Sequence, residues 1–117
     1  MRIVVDLDGT ICELRQENQS YADVVPLEGA IEALHQLRME GHSIIIHTAR
    51  NMRTCGGNVG KVGANVGMVT YQWLERHAVP YDEIVFGKPY GDIYIDDLGY
   101  RYLNWDDTLD AIRERRE

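Results

Sequence analysis

The chain has 117 residues with no long tail of biased composition, which predicts one domain over residues 1–117 and leaves no room for a second large one. Hydrophobic residues make up 44% and charged residues 26%, so the chain is neither disordered nor collagen-like, and no apolar stretch approaches the ~20 residues that cross a bilayer. The formal charge of −7 repels nucleic acid and anionic membrane, so any anionic ligand has to be captured by local donors or a cation. Cys12 and Cys55 are too few for a disulfide framework and have no metal-binding spacing, and Asp6 ends the N-terminal apolar run too early for a signal peptide; both features point to the cytoplasm.

Residues Arg2 to Val5 form a short β-branched run that stops at Asp6-Leu7-Asp8-Gly9-Thr10, a buried strand followed by a turn. Pro26 and Leu27 lead into a helix over Glu28 to Glu40, with Ala30, Ile31, Leu34 and Leu37 at helical spacing and Gly41 placed to cap it. Ile44-Ile45-Ile46 within His42 to Thr48 is a second buried strand, completing a βαβ unit with parallel strands. From Asn51 to Gly67 five glycines fall within twelve positions, which predicts a mobile loop. Met68 to His77 reads as a helix ended by Val79-Pro80. Ile84-Val85-Phe86 and Ile93-Tyr94-Ile95 read as two more strands, and Asp106 as the cap of a last helix from Asp107 to about Arg115, with Arg113 to Glu117 a solvated end. Tyr90, Tyr94, Tyr100, Tyr102 and Trp105 suit core packing or a subunit interface.

This alternation predicts an α/β fold, a three-layer Rossmann-like domain with a mostly parallel sheet. Ligands in such sheets sit beyond the carboxyl ends of the strands, where the sequence places Asp6 and Asp8, then Thr48, then Lys88, then Asp96 and Asp97. Carboxylates converging on one crevice repel one another unless a hard cation joins them, and oxygen-only ligands favour Mg²⁺. Thr48, Lys88 and the backbone N–H groups after Asp6 are donors suited to a phosphate, and a carboxylate beside it can attack phosphorus to give an acyl phosphate.

Asp6-x-Asp8-Gly9-Thr10 after one strand, Thr48 ending a second, Lys88 before Pro89 and Asp96-Asp97 ending a fourth resemble the four ordered motifs of the haloacid dehalogenase-like (HAD) phosphohydrolases. Ile46-His47-Thr48-Ala49-Arg50, Gly57-Asn58-Val59-Gly60-Lys61, Val79-Pro80-Tyr81-Asp82-Glu83 and Ile95-Asp96-Asp97 are further similar to small members associated with bacterial capsular polysaccharide synthesis. The resemblance implies a Mg²⁺-dependent phosphatase in which Asp6 is the nucleophile and Asp8 protonates the leaving alcohol, then activates water. It implies that Mg²⁺ is bound through Asp6, the backbone of Asp8, and Asp96 with Asp97, and that Thr48 and Lys88 hold the phosphoryl oxygens.

Family members carry substrate-selecting caps in two intervals. Here Gly9 and Leu27 are separated by seventeen residues and Thr48 and Lys88 by thirty-nine, too few for a folded cap. A capless site implies a homo-oligomer, dimer or tetramer, or a substrate that supplies its own cover. The expected substrate is a small phosphorylated metabolite such as a sugar phosphate, with Gly9, Thr48, Arg50 and Lys88 as its contacts and the Asn51 to Gly67 loop as lid. His47 alternates to the side of its strand opposite Thr48 and reads as a core or surface histidine. Two other readings remain: a phosphotransferase such as a mutase, and a receiver-like signalling module. A receiver would carry adjacent acids after its first strand, whereas this chain has Asp-x-Asp.

Overall fold

A computed structural model describes residues 1–116. Glu117, the last residue of the expected solvated helix end, lies outside the described residues. Three strands form a parallel sheet in the order β1 (Arg2–Asp6), β2 (Ser43–Thr48), β3 (Glu83–Phe86). The helices are α1 (Ala30–Met39), the single turn α2 (Val59–Val62), α3 (Met68–Arg76) and α4 (Trp105–Arg116), with a 3₁₀ turn at Tyr21–Asp23. This is a small Rossmann-like α/β fold, with no separate cap domain among the described residues. No helix is long and apolar enough to cross a membrane among the described residues.

Side chains alternate across the sheet, so register decides what each face presents. Val5 pairs with Ile46 and Ile46 with Ile84; these residues, with Ile3 and Ile44, pack against Ala33, Leu34 and Leu37 of α1, Trp73 and Leu74 of α3, and Trp105 of α4. The buried Trp73 indole is fixed at its polar edge, where Nε1 donates to the Val24 carbonyl at 2.8 Å. The opposite face carries Val4, Asp6, Ile45, His47 and Val85, with Val4 and Val85 exposed. An Arg2–Glu83 ion pair of 2.7 Å joins the two outer strands.

Several local expectations are met, and the exceptions have physical causes. Gly41 caps α1 in the left-handed region, with the His42 amide donating to the Leu37 carbonyl. The cap of α4 is Asn104 rather than Asp106: its Oδ1 accepts from the Asp107 amide, and the helix begins two residues earlier than expected, with Trp105 buried. The glycine-rich segment is not a loose loop. Asn58 caps α2, a π-helical turn at Gly63–Gly67 follows, and both run into α3. Val62 and Val66 are buried with Met52 in a second small core that Phe86 and Tyr21 complete, and this burial offsets the conformational freedom the glycines lose.

The largest difference concerns Ile93 to Ile95, where a fourth strand was expected. The chain from 87 to 104 has neither strand nor helix, and β1 is left as an edge. Only six residues, 87–92, separate β3 from Ile93, whereas a parallel crossover takes a dozen or more.

Gly87 turns the chain at the carboxyl end of β3 with φ +102°, and a Cβ there would lie 2.9 Å from Val59 Cγ2. Gly87→Ala is therefore expected to lower stability by about 1–3 kcal/mol, measured as a reduced urea midpoint at unchanged m-value.

Candidate functional site

The site forms where β1 and β2 end. Asp6 is the last residue of β1, and its side chain retains 36% of its accessible surface. Lys88 follows the Gly87 turn, its amide donating to the Thr48 carbonyl at 3.1 Å, and its Nζ lies 3.6 Å from Asp6 Oδ2. Burial holds the Asp6 carboxyl above the usual carboxylate range; Lys88 pulls it down and Asp8 adds to the rise. Three residues after Asp6, Gly9 takes φ +85° and its amide donates to the Cys12 carbonyl at 2.7 Å, so this expected substrate donor is used to close the turn.

Asp8 is held by a buried network. Arg50 Nε donates to both of its carboxylate oxygens, at 3.0 and 3.1 Å, and Nη2 lies 3.0 Å from Oδ1. The rest of the guanidinium is also engaged: Nη1 donates to Thr70 Oγ1 at 2.9 Å, Nη2 reaches Cys12 Sγ at 3.7 Å, and the plane lies 4.1 Å from the Tyr21 ring centroid. The Arg50 side chain has no solvent-accessible surface. This corrects its expected role as a substrate contact, because a guanidinium with every edge occupied and no exposure cannot meet a ligand.

Thr48 is corrected for a related reason. It lies on the core face of β2, fully buried, where its hydroxyl donates to Asp8 Oδ2 at 3.2 Å and accepts from the Arg50 amide at 3.1 Å. Its hydroxyl therefore fixes Asp8 instead of facing a phosphate. His47, expected on the side of its strand opposite Thr48, is the Cα partner of Asp6 on the adjacent strand and shares its face. Burial and the Lys88 charge hold its imidazole below the usual histidine range, only partly opposed by Asp6. The register brings the two together: Asp6 is level with His47 and not with Thr48. Cys12 is buried beside Asp8 and Arg50, and burial pushes its thiol up to about 12.

Asp96 and Asp97 do not join Asp6 and Asp8. Both are exposed, and Asp96 Oδ1 accepts from the Leu98 and Gly99 amides in a local turn. Among the described residues no three His, Cys, Asp or Glu side chains gather as a metal-binding set. Within one chain the residues therefore do not complete a magnesium site: Asp6 offers an accessible carboxylate, Asp8 is already held, and the third acid is elsewhere.

An accessible carboxylate beside an ammonium, with a second carboxylate held two residues away by an arginine, is a site for attack on an anionic electrophile. Comparison with sequence families matches residues 3–72 to haloacid dehalogenase-like hydrolases. The chain belongs to that family. The matched span contains Asp6, Asp8, Thr48 and Arg50 and stops before Lys88. Among solved structures, a crystal structure of a protein from Vibrio cholerae is similar at 37% identity and a TM-score of 0.80, over 99% of this chain and 98% of that one. No curated protein matches. Membership supports phosphatase-type hydrolysis in general terms, and hydrolases of this family generally use Mg²⁺.

Two outcomes follow from this geometry. Removing one partner of a buried pair strands the other, so Arg50→Met is expected to cost about 3–5 kcal/mol in urea unfolding. The Asp6 carboxyl titrates above its ordinary 3.8, so its ionised form opposes folding above that folded-state value, and this opposition disappears below 3.8, where both states are protonated. Metal-free Asp6→Asn should therefore melt higher than wild type at pH 7 and lose that advantage at low pH.

Proposed function

We propose that the chain is a phosphomonoesterase acting on a small phosphorylated metabolite through an aspartyl-phosphate on Asp6. The observation that carries this reading is the Asp6–Lys88 pair at the mouth of the sheet, with Asp8 fixed two residues on. In the first step an Asp6 oxygen attacks phosphorus, the P–O bond to the alcohol breaks, and Asp8, protonated on entering the step and left as the anion paired with Arg50, donates its proton to the departing oxygen. In the second step water attacks phosphorus, Asp8 takes its proton, and the acyl-phosphate bond breaks to release phosphate and restore Asp6. Lys88 offsets the negative charge that gathers on the phosphoryl oxygens. Arg50 and Thr48 hold Asp8 in place for both transfers, so that its orientation costs nothing during reaction.

Dependence on Mg²⁺ belongs to this proposal and is supported by the oxygen-only character of the available groups. The open setting of Asp6 suits a small substrate. Two recesses, of about 540 and 350 Å³, lie elsewhere, one beside Gln16, Glu17 and Asp23 and the other beside Tyr21, Asn51 and Asn65. A sugar phosphate of capsule or surface polysaccharide synthesis fits the motif likeness, and a cytoplasmic setting fits two free thiols. A mutase is the second reading. The openness of Asp6 favours hydrolysis over it, since transfer to a second alcohol needs water kept out.

Phosphate release from p-nitrophenyl phosphate and a panel of sugar phosphates, with Mg²⁺ or with EDTA, tests the proposal. Release should require Mg²⁺ and fall by at least about 10³-fold in Asp6→Asn. No turnover on any member, or turnover that survives Asp6→Asn, would overturn it.

A further inference from the structure

Two unfinished parts of the molecule complement each other. The first is the outer edge of β1. The Ser43 amide donates to Met1 and the Leu7 amide donates to His47, so the odd-numbered residues of β1 bond to β2. The backbone groups of Val4 and Asp6 consequently turn outward along an edge with no neighbouring strand, and Val4 is 59% exposed. The second is the arm of residues 87–104. Its ends are anchored on the body by β3 and by Trp105, whose Nε1 donates to the Thr10 carbonyl at 2.8 Å. Between them Ile93 and Ile95 are 75% and 88% exposed, and Tyr94 and Leu98 are exposed as well. An open sheet edge and an exposed segment rich in β-branched apolar residues are each templates for pairing.

The arm cannot satisfy the edge of its own chain. Parallel addition would require the six residues 87–92 to return from the carboxyl end of β3 to the amino end of β1, past the whole sheet. A second copy carries no such constraint. We infer that Ile93–Asp97 of one copy adds as a parallel strand to β1 of a second copy, reciprocally, giving a two-fold dimer in which the β1 edge of each copy is covered. With Ile93 and Ile95 on the core face beside Ile3 and Val5, Tyr94 falls beside Val4 and Asp96 beside Asp6. The exchange thereby delivers to each Asp6–Asp8 pair the carboxylate that a single chain lacks for Mg²⁺, so each active site is composite. This last step rests on the phosphatase reading; the strand exchange does not.

A cysteine pair tests the exchange without reference to activity. In a Cys55→Ser background, with Cys12 buried, Val4→Cys and Tyr94→Cys should form an interchain disulfide under mild oxidation, giving a dimer-sized band on a non-reducing gel. Light scattering of the wild-type chain should give a dimer mass. An intrachain disulfide, or a monomer by scattering with no crosslink, would overturn the inference whatever the enzymology shows. The composite site is tested by co-refolding Asp6→Asn with Asp96→Asn, each inactive alone. In mixed dimers one site regains both native acids, so activity should return to about a quarter of wild type for random pairing. No recovery, with mixed dimers present, would refute the shared site. Failure of the wild-type chain to hydrolyse any phosphate would remove the phosphatase reading and leave the crosslink to decide the exchange.

Discussion

A guanidinium with no access to water must find an anion and fill its remaining donors, and the candidate site is organised around that requirement. Arg50 meets it with Asp8, Thr70, Cys12 and the face of Tyr21, which come from the turn after β1, from α3 and from the 3₁₀ turn. One side chain thus ties together the segments that surround the end of the sheet. Among the described residues the buried side-chain polar atoms all have partners, which is the condition under which such a network fixes one geometry. Rigidity at Asp8 and access at Asp6 are complementary: the residue that handles protons is fixed, and the residue that must reach phosphorus stays open.

The order of the strands explains what is absent as well as what is present. The chain steps from β1 to β2 to β3 in one direction across the sheet. Its short exit from β3 gives it no route back to the other side of β1, whatever the local preference of the residues that follow. Parallel sheets are usually covered, and an edge of Val4 and Asp6 with nothing beside it is the point at which this fold is unfinished as a single chain.

Much of the architecture was legible because it is written in periodicity. The continuous apolar run at Ile44 to Ile46 and the helical spacing of Ala30, Leu34 and Leu37 are signals local to a few turns of chain, and both elements form. The acidic pair and its distance from Thr48 were legible for the same reason. What escaped depends on the third dimension. Ile93-Tyr94-Ile95 has the composition of a strand, but pairing is a property of topology and the connection is too short. The glycines between Gly56 and Gly67 argued against helix, yet Val62 and Val66 reach a small core that no window of sequence reveals. Thr48 and Arg50 were identified as important for the wrong contact: their types are those of phosphate donors, and only the end of β2 and the turn after it show that both reach inward to Asp8.

The wide turn at Gly63–Gly67 gives the segment a fixed length. Each residue advances an α-helix by about 100°, so gaining or losing one position there would rotate all of α3 about its axis by more than a quarter turn. Thr70 would leave the guanidinium that it partners, and Trp73 would leave the Val24 carbonyl. Glycine-rich stretches usually mark places where a chain tolerates insertions. In this one the phasing of a helix is set by the glycines, so substitution by another small residue disturbs the fold less than any change in their number.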